Sequence, residues 1–326
     1  MPVKNAGLYL EDCLRSIVDQ TYDNFELLAV DDHSADDSFE ILSAFSKRYP
    51  YIIINQNKGS GIIDALNQGY ADSSGELITR MDADDIMDKD KIFYLSHKLI
   101  KQGIGNLALG KVSYFSSEEL GDGYKKYAKW LNDLTDLGSN FTDRYKECVI
   151  PSTAWMAYRE DFNQCGGFDS QMYPEDYDLC FRFYGLGIRP IPSEKVVHYW
   201  RDHPTRSSRT MKQYSDNSFL KLKMHYFFLQ ESLDNRDLVL WGAGKKGKRI
   251  ALQINERRQK FDWLTNNSKK IGHEIHSNVL LNEANFELRS NQVHLVAVAN
   301  ENEQMDIMNK LERTGFEKGR SYFALC

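Results

Sequence analysis

The chain has 326 residues, with 47 acidic side chains against 41 Lys and Arg, for a net charge of −6. That length suits two domains, and the negative balance argues against nonspecific nucleic-acid binding, which needs clustered positive charge. Five scattered cysteines with no CxxC pair exclude a disulfide frame and a zinc site.

Those cysteines read as reduced thiols of a cytoplasmic protein. The longest apolar runs, at 51–54 and 295–299, are too short to span a bilayer. No signal peptide precedes the first motif.

In chain order, residues 8–18 carry Leu10, Leu14, Ile17 and Val18 at helical spacing. Residues 25–30 form a short apolar run that ends in Asp31 and Asp32, the pattern of a buried parallel strand. A helix over 38–49, a strand over 51–54 and a helix over 62–71 follow. A strand over 76–81 then ends in Asp82-Ala83-Asp84-Asp85. This β-α-β-α-β order predicts an α/β fold, an open and mostly parallel sheet with helices on both faces. Ligands in such sheets sit beyond the carboxyl ends of the strands, so both acidic clusters are expected to line one crevice.

Residues 103–147 look less regular. A helix is expected over 179–184 and a strand over 196–199. From Arg206 the chain turns basic and aromatic, which reads as a helical connector. After Asn235 the composition changes again. Strands at 238–240, 261–264 and 294–298, with a closing helix over 305–313, describe a second, small Rossmann-like α/β domain. The expected division is 1–209, a connector over 210–236, and 237–326.

The acidic tracts suit sugar transfer from a nucleotide diphosphate. Charge building on the leaving diphosphate is neutralised by a divalent cation held by carboxylates, and Asp82, Asp84 and Asp85 at a strand end meet that need. A solvated turn or a helix N-cap explains a lone D-x-D equally well. Here the tract follows directly on a strand, which favours the functional reading. Capping explains Ser34 or Asp36 but not the adjacent carboxylates Asp31 and Asp32, which suit a nucleoside contact. Glu175 and Asp176 begin a helix, where acids also complement the helix dipole.

Together these motifs resemble the family-2 inverting glycosyltransferases, which share the GT-A fold. The resemblance runs over residues 1–209. It is carried by Met1-Pro2-Val3-Lys4-Asn5-Ala6, Ser16-Ile17-Val18-Asp19-Gln20-Thr21-Tyr22 and Val30-Asp31-Asp32-His33-Ser34. Further matches are Ala65-Leu66-Asn67-Gln68-Gly69, Arg80-Met81-Asp82-Ala83-Asp84-Asp85-Ile86, Gly166-Gly167-Phe168-Asp169 and Pro174-Glu175-Asp176-Tyr177-Asp178-Leu179. It implies Pro2 and Asp32 at the nucleobase end, Asp82 near the ribose, Asp84 on Mn²⁺ or Mg²⁺, and Asp176 as the general base of a single inverting displacement. The stretch from His198 to Pro204, with Ser207 and Ser208, resembles the segment that closes over the diphosphate. It offers Arg201 as a donor contact and His203 beside the metal; an ordinary loop histidine is an equal reading of His203. The expected partners are a nucleotide-sugar donor, UDP-linked, and a glycan or lipid-linked saccharide acceptor.

Three departures stand out. Lys4 occupies a position where the family has an aromatic residue. No Q-x-x-R-W follows the base region, which speaks against a processive synthase. The chain begins inside the first motif, so either the start lies upstream or the sheet lacks its first strand.

Gly242-x-Gly244-x-x-Gly247 after a strand matches half of a dinucleotide fingerprint. The acid expected at the end of the next strand is replaced by Thr265-Asn266-Asn267, with Asp262 inside the strand instead. A structural or nucleotide-sensing accessory role fits better than a dehydrogenase. The connector sets Arg206, Arg209, Lys212, Lys221 and Lys223 among Phe219, Leu222, Met224, Phe227 and Phe228. Peripheral contact with an anionic membrane, or a packed helix with its lysines on the wet face, accounts for that pattern. A nucleotidyltransferase and a non-catalytic nucleotide-sugar-binding protein remain as alternatives. The first lacks a basic glycine-rich loop, and intact Asp84 and Asp176 speak against the second.

Overall fold

A computed structural model of the chain describes residues 1–116, 120–170, 172–210 and 219–326, with the backbone alone at Ser207 and Ser208. Lys212 lies outside the described residues. The chain divides into two compact units, Met1–Asn140 with Val149–Ser207, and Phe141–Cys148 with Ser208–Cys326.

The first unit opens with β1 (Pro2–Val3), α1 (Gly7–Val18), β2 (Leu27–Asp31), α2 (Ser38–Arg48), β3 (Ile52–Gln56) and α3 (Ile62–Ala71). α1 forms because Leu10, Cys13, Leu14 and Ile17 fall on one face, and that face is buried. β2 is buried at all five positions, as its unbroken apolar run requires, and it pairs in parallel with β1 and β3. The ladder reaches the first residue, since Val30 N–H donates to Met1 O. α3 lies close on β2: a side chain at Gly69 would meet Val30 Cγ2 at 3.3 Å.

The rest of this unit comprises β4 (Leu77–Ile78), β5 (Ile86–Met87), α4 (Lys91–Gln102), β6 (Asn106–Leu109), β7 (Lys111–Phe115), α5 (Asp122–Leu137), β8 (Trp155–Tyr158), α6 (Arg159–Gln164), α7 (Glu175–Gly185), β9 (Arg189–Ile191) and β10 (Val196–Arg201). One sheet has the order β4-β8-β6-β9 and another β5-β10-β7. β8 runs antiparallel to both its neighbours and β10 antiparallel to β5, so parallel pairing is mixed with antiparallel in this half. The stretch expected to be irregular contains β6, β7 and the sixteen-residue α5, which buries Ala128, Leu131, Leu134 and Thr135. Asn132 on α5 binds both backbone groups of Val112, at 2.8 and 2.9 Å, and so covers the outer strand β7.

A helical turn, α8 (Ser207–Thr210), precedes the second unit's α9 (Leu220–Gln230), β11 (Asp237–Trp241), α10 (Lys245–Glu256), β12 (Phe261–Thr265), β13 (Glu274–Ile275), β14 (Asn278–Asn282), β15 (Gln292–Val296), α11 (Glu301–Arg313) and β16 (Tyr322–Ala324). The sheet order is β13-β14-β12-β11-β15-β16. All pairs but β13–β14 are parallel. The glycine turn packs tightly. A Cβ on Gly247 would lie 2.0 Å from Gly242 O, and Gly242 has φ +97° with Val298 against it.

Two connector readings change. α9 groups with the second unit, as does the internal segment Phe141–Cys148. Lys223 does not sit on a wet face. It is 1 % exposed, and its Nζ donates to Lys146 O at 2.7 Å, among buried Leu222, Met224 and Phe227. A lysine stem packs like an aliphatic chain when its ammonium finds a carbonyl.

Candidate active site

β10 carries the C-terminal wall of the acidic turn. Its antiparallel pairing puts Tyr199 opposite Ile86 and His198 opposite Met87, so the strand arrives directly beside Asp84 and Asp85. Asp85 is buried. Its Oδ1 accepts from Arg201 N at 2.8 Å, and its Oδ2 lies 3.0 Å from His198 Nε2. Lys91 Nζ donates to Thr153 O at 2.6 Å and stands 3.5 Å from His198 Nδ1. An ammonium can only donate, so His198 Nδ1 accepts and Nε2–H faces Asp85. Burial, then Lys91, pushes His198 well below its ordinary value and keeps it neutral. Burial raises the Asp85 carboxyl to about 7, with Arg206, the Arg201 N–H and Lys91 working against the rise.

Asp84 is raised by burial and by its neighbours Asp85 and Asp82. His203 Nε2 stands 2.9 Å from Asp84 Oδ2, and His203 Nδ1 lies 3.0 Å from Thr205 Oγ1. The His203 ring packs on Tyr9 at 4.6 Å. Burial works to raise Asp82, but Arg80, whose Nε donates to its Oδ1 at 2.9 Å, together with Arg206 holds it below the usual range. Arg201 lies at the same turn, although its guanidinium is engaged there. Nε donates to Asp84 O at 2.8 Å, Nη2 meets Asp12 at 3.2 Å, and the group is sandwiched between Tyr9 and Phe115.

Pro2 and Asp32 stand at the ends of β1 and β2. Cys13 Sγ touches both Met1 Sδ and Asp82 O, so this edge adjoins the acidic turn. Asp32 is buried, with Oδ1 accepting from Asn57 and Gly61 N, and Oδ2 from Lys4 at 2.9 Å. Burial alone would raise it, but these donors hold it below the usual range. Lys4, the departure in the first motif, thus forms an ion pair with Asp32.

Asp176 sits at the start of α7. Gly166 and Gly167, at φ +86° and +59°, let the chain turn so that their neighbourhood meets α7. Arg182 on α7 donates to Cys165 O and Gly167 O, at 2.6 and 2.8 Å. Phe168 packs edge-on to Phe162 and beside Trp155. Asp176 lines a small pocket with Arg80, Ser152, Trp155 and Glu175. Burial and then Glu175 raise its carboxyl to about 7, against Arg80 and the Tyr177 N–H.

The sequence motifs include Arg80 and His198 without a role for either, and they do not point to Lys91 or to Arg206 beside the acidic turn. Arg80 stands two residues before Asp82, which is the signal that was available. In the sequence Arg206 reads as part of the connector. Its guanidinium instead lies over Tyr114 and Trp200 and acts on Asp82, Asp84 and Asp85. Among the described residues, no group of three or more His, Cys, Asp or Glu side chains is arranged to hold a metal.

Residues 1–166 match the family described as Glycosyl transferase family 2. An uncharacterized glycosyltransferase of Haemophilus influenzae is 41 % identical over 230 residues, covering 67 % of this chain and 69 % of that protein. The probable glycosyltransferase YdaM of Bacillus subtilis is 27 % identical over 217 residues, 63 % of this chain. The match spans only half the length of YdaM. The crystal structure of S. aureus TarS superposes with a TM-score of 0.51 at 15 % identity, covering 84 % of this chain and 44 % of TarS. That likeness is one of fold, the mixed α/β architecture of GT-A glycosyltransferases.

Proposed function

Because the chain belongs to glycosyl transferase family 2, we propose that it moves a sugar from a nucleotide diphosphate, UDP-linked, to a hydroxyl of a glycan or lipid-linked saccharide, with inversion. The strongest support is one arrangement. Asp84 and His203 meet on one side of Arg80's partner Asp82, and Asp176 stands beside Arg80's other partner, Glu175.

Asp84 Oδ2 and His203 Nε2 are a carboxylate and an imidazole 2.9 Å apart, and a hydrogen bond between His203 Nδ1 and Thr205 Oγ1 orients the ring. These two side chains would hold a divalent cation. Mn²⁺ or Mg²⁺ held there supplies Lewis-acid neutralisation of the departing diphosphate. Asp82 serves the ribose, Pro2 and Asp32 the nucleobase end, and Arg201 the donor side. Arg206 adds positive charge where negative charge develops. Asp176 accepts the proton of the attacking hydroxyl, a role its carboxyl, raised to about 7, suits at neutral pH.

The second unit is an accessory α/β domain. The turn after β12 is closed by its own polar side chains: Thr265 Oγ1 accepts from Asn267 N, and Asn267 Oδ1 from Lys269 N. Among the described residues, no helix is long and apolar enough to cross a membrane.

A panel of nucleotide sugars, each tested for hydrolysis and thermal stabilisation with and without Mn²⁺, tests the proposal. Metal-dependent response to one donor supports it, and indifference to every nucleotide sugar refutes it.

A further inference from the structure

Arg80 belongs to the loop before the acidic turn, yet it binds at both ends of the site. The residue is 6 % exposed. Nε meets Asp82 Oδ1 at 2.9 Å and Nη1 meets Glu175 Oε1 at 2.9 Å. We propose that Arg80 is a positioning residue: its guanidinium clamps the donor-side turn to the start of α7 and, by engaging Glu175, leaves Asp176 as the carboxylate presented to the acceptor. This rests on the reading of Asp176 as the general base.

Two physical arguments and one observation support the clamp. A planar guanidinium offers donors in a rigid fork, so one side chain spans two carboxylates in fixed register; a lysine ammonium can bridge two carboxylates, as Lys195 does for Asp88 and Asp90, but as a point charge on a flexible stem it does not fix their register. Buried ion pairs add little stability over apolar packing, so a buried Asp82–Arg80–Glu175 bridge is better explained by the geometry it fixes. Glu175 and Asp176 are adjacent acids at one helix start, and Arg80 has Glu175 as its direct partner.

The charged groups facing Asp176 are Glu175, Arg80 and Asp82, and they act with opposite signs. Glu175 and Asp82 favour the protonated form, and Arg80 favours the carboxylate. Variants at Arg80 and Glu175 therefore move Asp176 in opposite directions, a pattern that general loosening of the fold does not produce.

The test uses full-length protein with ¹³Cγ-labelled aspartate. The Asp176 signal is assigned by its loss in Asp176→Asn, which also separates it from Asp85. The expected wild-type midpoint is near 7. Arg80→Met should raise it, and Glu175→Gln, which keeps an oxygen for Arg80, should lower it. Arg80→Lys keeps the charge but not the span. It should leave the midpoint near that of wild type and lower kcat with the donor found in the nucleotide-sugar panel by on the order of 10²-fold, as expected for misplacement of about an ångström. If Arg80→Met does not fold, Glu175→Gln and Arg80→Lys carry the test. Midpoints that stay put or move together would overturn the clamp, as would wild-type turnover by Arg80→Lys. Opposite shifts alongside full turnover by Asp176→Asn would instead refute Asp176 as the base.

Discussion

His203 Nε2 lies 2.9 Å from Asp84 Oδ2, although 119 positions separate the two residues in the chain. The contact exists because β10 pairs with β5 and carries the chain past the acidic turn. Asp84→Ala should therefore abolish turnover and Mn²⁺-dependent donor binding while the fold, read by circular dichroism, is kept. His203→Ala, which removes one of the two proposed metal donors, should lower Mn²⁺ affinity by at least about 10–100-fold, the loss seen for groups that only support a metal ligand. Full activity in EDTA contradicts this.

Asp176 gives a pH dependence with a definite sign. A base works only when deprotonated, and its carboxyl is raised to about 7. Turnover should rise as pH increases through 7 and then level off. Asp176→Asn should lack that limb and lower kcat by roughly 10²–10⁴-fold, the usual share of general-base catalysis, with donor affinity little changed. A pH–rate profile of the variant that keeps the wild-type limb rules the assignment out.

Lys223 ties pH to the stability of the second unit. Burial lowers its ammonium from 10.5 to about 8. Between those values the unfolded chain binds the proton and the folded chain does not, so this group's contribution to stability rises with pH over about 8 to 10.5. Lys223→Met removes the term. Thermal melting of wild type minus Lys223→Met should rise across that window; a flat difference places Lys223 in water.

Gly247→Ala probes the glycine turn. The added Cβ would fall 2.0 Å from Gly242 O, a backbone atom. Overpacking of this kind costs about 1–3 kcal/mol or more, and calorimetric melting should show it. An unchanged melt means the turn yields freely.

The same turn should not hold NAD(P) tightly, because β12 ends in Thr265 rather than an acid, and the one acid of that strand, Asp262, pairs with Val239 inside the sheet. Titration calorimetry of the full chain with NAD and NADP should show no micromolar binding; such binding would make the turn a cofactor site.

The sequence reading succeeded where local pattern decides the outcome. α3 runs over 62–71 as expected, and the acidic tract falls where a strand-like run stops. That run was too generous: β4 is only Leu77–Ile78, and Thr79 Oγ1 already binds Trp155 O in place of continuing the ladder. α5 went unseen because its buried stripe of Ala128, Leu131, Leu134 and Thr135 is interleaved with Lys, Trp and Asp. Arg80–Glu175, Lys91–His198 and Lys223–Lys146 join residues 95, 107 and 77 positions apart. Nothing in local spacing encodes such pairs. Arg206 was misread for the same reason: a basic residue in a basic stretch looks solvated until the acids that face it are placed.

The most direct measurement is ¹H NMR of the product formed from the responsive nucleotide sugar and a saccharide acceptor, run with Mn²⁺ and again in EDTA. With Mn²⁺, the new glycosidic bond should have the anomeric configuration opposite to that of the donor, because a single displacement assisted by Asp176 inverts the carbon; in EDTA no product should appear. A product with retained configuration, or equal product in EDTA, would contradict the assignment of Asp84 and Asp176.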